Sequence, residues 1–337
     1  MSTLQSRVEQ IVEEARLPGL VVAVASMDEI VETAEAGVRR IGHPARLGVA
    51  DSMHIGSCTK GLTSTLIGTL VEDGVVSWTT TVGEVFGESA FEDATIEQLL
   101  RHEAGLQPFE EDEEFVVLPD LPEDPRAHRH AFSEAVLELE PVNPPGEFRY
   151  SNAGFGVATA MIEHLADDAW EKMLFARVLH PLDLDAHLGW PASVDTAAPW
   201  GHLEGPTGPV PHDPTDGYVI EPSIAPAGDI SMPTSEFVRW LQWNCRGLNG
   251  TDTIVRADTL RFMHTAPTRA GLGWGVGERD GMRYSAHTGS AGTFFVVGIV
   301  VPAKQRVLAL ATNAGYEQAE QATLPIVREL LEAWASD

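Results

Sequence analysis

The chain alternates between two hydrophobic rhythms, and their order predicts the architecture. From Met1 to Leu17, Val8, Ile11, Val12 and Ala15 recur at helical spacing, and Pro18-Gly19 ends that pattern. Leu20–Ser26 and Ile30–Gly37 are short apolar runs separated by Met27-Asp28-Glu29, which predicts a hairpin. From His54 to Leu70 the period becomes helical, with Leu62, Leu66, Ile67 and Leu70 on one face and Gly74 as a stop. Further helices are predicted over Thr95–Arg101, Ala131–Leu139, Ala153–Leu165, Trp170–Leu179 and Ser235–Cys245. Strand patterns return at Tyr284–His287, Thr293–Val301 and Val307–Thr312, and Glu317–Trp334 closes as a helix. Strands at both ends around a helical middle predict an α/β (α+β) fold with one sheet built from both chain ends. The expected division is a sheet domain of residues 1–53 and 266–337, a mainly helical inserted region of residues 54–265, and a site between them.

Two segments interrupt the pattern. Glu110–Glu114 is an acidic run in a proline-bearing stretch and reads first as a solvated loop, with a lid as the lesser reading. Pro191–Pro226 is rich in Pro and Gly and reads as an irregular surface excursion.

Composition adds one strong constraint. Fifty acidic residues face 22 basic ones, for a formal net charge of −28. Such a surface repels nucleic-acid phosphates and anionic membranes, so neither is an expected partner. Lysine occurs only at Lys60, Lys172 and Lys304. An acidic, lysine-poor surface suits either a high-salt habitat or an acidic, arginine-using proteome. Two cysteines without a C-x-x-C pair argue against a disulfide framework or a cysteine zinc site. The start of the chain lacks the basic and apolar regions of a signal peptide, and no run approaches the ~18 apolar residues of a membrane span. A soluble, cytoplasmic protein is the expectation; its oligomeric state is not legible.

Three motifs carry the candidate chemistry. Ser57-Cys58-Thr59-Lys60 is S-x-x-K. A serine hydroxyl needs a neighbouring base, and residues three apart on a helix share a face. Burial or nearby positive charge would lower the Lys60 pKa and free it to act as that base. Alone, the motif better describes a serine cap followed by a solvated lysine, and it arises by chance in roughly one chain in seven of this composition. Tyr150-Ser151-Asn152 is Y-x-N. A phenol of lowered pKa can take and return a proton, and Asn152 offers two donors and an acceptor. The bland alternative is a turn tyrosine and a helix cap. His287-Thr288-Gly289 precedes Ser290 at a strand end, where Gly289 would let a substrate approach the backbone closely. By itself that is an ordinary strand end with a surface histidine. Cys58 reads as a small buried residue rather than a redox group, and the eight tryptophans as mostly core.

Taken in order, S-x-x-K, Y-x-N and [KH]-[ST]-G resemble the penicillin-recognising serine hydrolases, which include class C β-lactamases, D-alanyl-D-alanine carboxypeptidases, D-aminopeptidases and β-lactamase-fold esterases. The resemblance runs nearly end to end. His54-Ile55-Gly56-Ser57-Cys58-Thr59-Lys60 resembles "F-x-I-G-S-x-T-K". The stretch from Thr95 to Leu106 resembles "T-I-x-x-L-L-x-H-x-S-G-L", and that from Pro144 to Asn152 resembles "P-P-G-x-x-x-Y-S-N". Ala225–Ile230 and Gly271–Trp274 resemble "x-P-A-G-G-L" and "G-L-G-W". The resemblance implies a β-lactamase/transpeptidase-like fold, a mostly antiparallel sheet flanked by helices. It also implies Ser57 as acylated nucleophile, Lys60 and Tyr150 sharing the proton work, and Asn152 holding substrate with His287, Thr288 and Gly289. The backbone N–H groups of Ser57 and Ser290 would form the oxyanion hole, with no metal or cofactor required.

His287 stands where most members carry lysine, so a fixed cation for a substrate carboxylate is missing, and weak β-lactam turnover is expected. Carboxypeptidases, D-aminopeptidases and esterases of the family also carry histidine here, so the expected cytoplasmic location and the acidic surface, which disfavours anionic substrates, make a carboxylesterase acting on small neutral esters the first expectation. A D-aminopeptidase or D-alanyl-D-alanine carboxypeptidase-like peptidase comes second, and a non-catalytic binding protein of the same fold third. The chain lacks G-x-S-x-G and H-E-x-x-H, so other common hydrolase classes lose support.

Overall fold

The computed structural model describes residues 3–336; Met1 and Ser2, at the start of the predicted first helix, lie outside the described residues. Six antiparallel strands form the main sheet: β1 (Gly19–Ser26), β2 (Ile30–Gly37), β3 (Gly275–Arg279), β4 (Met282–Ser290), β5 (Phe295–Val301) and β6 (Arg306–Thr312). Their order is β2-β1-β6-β5-β4-β3, so the first hairpin joins the C-terminal strands through the β1–β6 pair, in which Val22 faces Leu310.

The three central strands are buried along nearly their whole length. Alternate residues serve opposite sides, as the pleat requires. Val21, Ala23, Val296, Val300 and Ala309 join one core. Leu20, Val22, Val297, Ile299 and Leu310 join the other. On that second side lie the helices α1 (Leu4–Glu14), through Val8 and Ile11, and α5 (Glu317–Ser336), through Ile326, Leu331 and Trp334. Each such aliphatic side chain contributes about 1.5–3 kcal/mol on burial.

On the first side, α2 (Thr59–Glu72) runs through the protein interior, and every residue from Thr59 to Leu70 is buried. A helix buried all round shows only a weak apolar stripe. Two of its threonines are hydrogen-bonded: Thr63 donates to the Pro226 carbonyl at 2.7 Å and Thr65 to the Gly61 carbonyl at 2.9 Å. Against it lies α3 (Asn152–Ala166), while α4 (Thr234–Leu248) packs on the sheet and contributes Phe237, Val238 and Leu241 to the same core. In this layer Arg129, fully buried, donates to both oxygens of Glu163 at 3.0 and 2.6 Å and to Glu171 at 2.9 Å.

Several local expectations change. His54 ends a short strand, Ser52–His54, and Gly56–Cys58 forms a 3-10 turn before α2 begins. The helix expected from Ala131 starts at Pro125, because Asp124 caps it by accepting from the Ala127 N–H at 2.9 Å. Trp170–Leu179 is α-helical only to Leu174 and continues as a π-helical turn over Phe175–Leu179. The Pro/Gly-rich excursion contains a hairpin, His202–Gly205 with Gly208–Pro211. Strand β3 and a helix at Ala257–Met263 lie where none was expected. Among the described residues no helix is long and apolar enough to cross a membrane.

Candidate active site

Ser57 sits in the 3-10 turn that leads into α2, and Lys60 lies in the first turn of that helix. Their spacing brings the Lys60 Nζ to 3.1 Å from Ser57 Oγ. The ammonium also donates to Asn152 Oδ1 at 2.7 Å and to the Ala227 carbonyl at 2.9 Å. Asn152 is the first residue of α3, whose N-cap, Ser151, accepts from the Gly154 N–H and donates to the Gln107 carbonyl at 2.6 Å. The Asn152 amide in turn donates to the Phe109 carbonyl at 2.8 Å. These bonds fix which end of the amide faces the lysine.

Lys60 is fully buried, and burial pushes its pKa down to about 7, against the opposing pull of Glu110 and then Cys58. Its Nζ lies 4.7 Å from the Tyr150 ring centre. The sequence reading gave Tyr150 a lowered phenol pKa. The structure reverses this: burial pushes the phenol up, with the nearby Ser57 hydroxyl opposing that rise. Tyr150 therefore stays protonated at neutral pH. The His102 ring lies against it, centres 4.5 Å apart, and His102 Nδ1 accepts from the Ser151 N–H at 3.1 Å. Burial, with Lys60 and His287 adding to it, holds His102 well below the usual histidine range.

Gly289 and Ser290 end β4 directly against the Ser57 turn. A Cβ on Gly289 would fall 1.9 Å from the Ile55 carbonyl and 3.0 Å from the Ser57 nitrogen. A Cβ on Gly56, whose φ is +50°, would fall 2.6 Å from the Ser290 nitrogen. Two glycines thus let the Ser57 and Ser290 backbones meet. Cys58 is buried, and its Sγ reaches the His287 carbonyl at 3.5 Å, facing the strand.

His287 is on the other flank. Its ring centre is 6.5 Å from that of Tyr150, and its Nδ1 donates to the Thr288 carbonyl at 2.5 Å. Burial, with Lys60 adding to it, lowers it to about 4, so it is neutral at pH 7. A cleft of about 430 Å3 opens at Ser57, Asn152 and Ser290, and a separate cavity of about 300 Å3 opens at Tyr150, His287 and Thr288.

The sequence reading missed much of the cleft wall. Glu110, Asp112 and Phe115 line it, so the acidic run, solvent-exposed from Glu110 to Glu113, is also a wall of the site. Tyr218, Ile220 and Glu221 line it too, from the segment read as a surface excursion. Tyr218 is set there by Trp190, whose indole donates to the Tyr218 carbonyl at 2.7 Å and whose ring stacks on it at 5.4 Å. The only earlier signals were the acidic run itself and the Ala225–Ile230 motif that supplies the Ala227 carbonyl.

An antiparallel sheet flanked by helices, with this serine turn at its margin, is the fold of penicillin-binding and β-lactamase-like proteins. The octameric penicillin-binding protein homologue from Pyrococcus abyssi superposes with a TM-score of 0.80 at 22% identity, covering 97% of this chain and 76% of that one. The D-amino acid amidase from Ochrobactrum anthropi SV3 gives 0.79 at 20% identity, over 99% of both chains. In sequence, Penicillin-binding protein 4 of Amycolatopsis lactamdurans is 26% identical over 335 residues, 92% of this chain and 84% of that protein. The Beta-lactamase family model matches residues 4–332, and the chain belongs to that family, whose members are serine hydrolases and acyltransferases.

Proposed function

We propose that the protein hydrolyses small esters through an acyl-enzyme on Ser57. One observation carries this reading. Lys60 has three N–H directions, and two of them end on atoms that can only accept, Asn152 Oδ1 and the Ala227 carbonyl. The third faces Ser57 Oγ, the one neighbour able to give a proton back. When Lys60 is neutral, which its lowered pKa favours, its lone pair must point at that hydroxyl.

Lys60 then takes the Ser57 proton as the Oγ–carbonyl carbon bond forms. The Ser57 and Ser290 N–H groups receive the oxyanion. As the bond from the acyl carbon to the leaving oxygen breaks, that oxygen gains a proton through Tyr150, which burial keeps protonated at neutral pH. The proton is replaced from Lys60. A water then attacks the ester carbon, gives up a proton to the same groups, and releases the acid with Ser57 restored. Asn152 orients the acyl portion in the larger cleft, while the alcohol leaves on the Tyr150, His287 and Thr288 side.

Neutral His287 offers no fixed charge to a lactam carboxylate, which supports esters over β-lactams. A second reading, amides of amino acids, has its own support: Glu110, Asp112 and Glu221 line the acyl cleft and would attract an ammonium group. Likeness of fold to a D-amino acid amidase is compatible with it. A panel of p-nitrophenyl esters, nitrocefin and D-amino-acid p-nitroanilides separates these. Turnover of the esters with little nitrocefin hydrolysis is expected; nitrocefin or anilide activity without ester activity removes the ester reading.

A further inference from the structure

Tyr150 belongs to no helix or strand, so its phenol has to be aimed by its neighbours. One residue, His102, holds it from both chain directions. The His102 carbonyl accepts from the Arg149 N–H at 2.8 Å, and His102 Nδ1 accepts from the Ser151 N–H at 3.1 Å. Between these two bonds the His102 ring lies on the Tyr150 ring. That ring is fixed in turn by Phe155 and Phe148, with centres 5.6 and 5.8 Å away, and His102 is buried. The backbone adds a second observation. The short helix Ile96–Leu100 ends in a complete Schellman turn: the Glu103 N–H donates to the Gln98 carbonyl at 2.8 Å and the His102 N–H to the Leu99 carbonyl at 3.2 Å. The turn puts His102 in the left-handed region, at φ +63°. Glycine is the common occupant of that position because it adopts this φ without strain. A strained histidine stands there instead, and such strain gathers at functional sites.

We infer that His102 is the positioning residue of the general acid, holding Tyr150 where its phenol can protonate the leaving oxygen. The inference rests on the acyl-enzyme reading above and specifies how its proton donor is aimed. The bond from Ser151 needs a bare Nδ1, so the neutral ring carries its hydrogen on Nε2. A protonated ring would set two N–H groups against each other. Burial, then the charges of Lys60 and His287, hold the ring neutral, so the grip on Tyr150 persists while Lys60 gains and loses its proton. During acylation the bond from the acyl carbon to the leaving oxygen breaks. The Tyr150 proton passes to that oxygen, and Lys60 returns one to Tyr150. An alcohol of high pKa needs this transfer, whereas p-nitrophenolate departs without it.

The test is a series of butyrate esters of p-nitrophenol, phenol and benzyl alcohol, read as kcat/KM, which reports acylation. His102→Gly is the variant, because the Schellman turn accepts glycine. It is expected to lose about 10²-fold on the benzyl ester, the size of a misplaced catalytic group, and less than about threefold on the p-nitrophenyl ester. His102→Asn tolerates a positive φ and offers its Oδ1 to the Ser151 N–H, so it should recover about tenfold or more of the benzyl-ester loss. Fluorophosphonate labelling of Ser57 reports that each variant is folded. Equal losses across the series, no loss at all, or a His102→Asn no better than His102→Gly overturns the inference alone. So does a wild type that hydrolyses only the p-nitrophenyl ester. Hydrolysis of none of the three esters by wild type removes the acyl-enzyme reading, and this inference with it.

Discussion

Lys60 Nζ lies 3.1 Å from Ser57 Oγ and spends its other contacts on acceptors alone. The proton on Lys60 therefore decides the direction of transfer. Because its pKa is lowered to about 7, kcat/KM for an ester should rise as pH increases through about 7 and then level. Lys60→Met should lose about 10²–10⁴ in kcat. Asn152→Asp places a carboxylate where the amide oxygen now accepts, which favours the ammonium. The rising limb should then move alkaline by about one to three pH units. A pH–rate profile checks all three; an unmoved limb in Asn152→Asp contradicts the assignment.

The same shift has a consequence for stability. Lys60 titrates near 7 when folded and near 10.5 when free, so the unfolded chain binds more protons between these values. This group's contribution thus favours the folded state increasingly as pH rises through that window. Lys60→Met should flatten that part of the stability–pH curve, read by urea unfolding at a series of pH values.

Gly289→Ala should damage catalysis more than binding. Its Cβ would strike the Ile55 carbonyl and press towards the Ser57 nitrogen, forcing the two N–H donors apart. Loss of one such donor costs about 10²–10³ in kcat. Steady-state kinetics on one ester should show a collapsed kcat with a smaller change in KM; wild-type kcat in this variant would refute the oxyanion role.

Much of the fold was legible because its signals are local. Phe295–Val301 and Val307–Ala311 are apolar throughout, since both faces of the central sheet are covered. Strand β3 reads Gly-Val-Gly-Glu-Arg and lies at the edge, where half-exposed positions leave no clear period. Ser57 and Lys60 were readable from their three-residue spacing, which the 3-10 turn running into α2 keeps on one side. The wall formed by Glu110–Phe115 and Tyr218–Glu221 was not, because loops are placed by distant contacts such as Trp190 to Tyr218. The direction of the Tyr150 shift was missed because burial cannot be read from a turn motif.

Arg129 should be a stability residue. Glu163 is 1% exposed, and its oxygens are held by Arg129 and by the Trp170 N–H at 2.7 Å. Arg129→Met leaves a buried carboxylate without its counter-charge and should destabilise by about 3–5 kcal/mol. The midpoint of urea unfolding checks this; a shift below about 1 kcal/mol would show the network to be dispensable.

The excess of 50 acidic over 22 basic residues predicts a salt response. Potassium chloride screens the repulsion, so Tm should climb from low to high salt. A flat or falling Tm would show that the surface charges are already balanced locally.

Ser57 as the acylated residue is the claim on which the rest stands. Intact-mass spectrometry after treatment with a fluorophosphonate probe tests it directly. One adduct per chain is expected, located by peptide mapping to Ser57 and absent from Ser57→Ala. Undiminished labelling of Ser57→Ala, or an adduct mapped elsewhere in wild type, would contradict it.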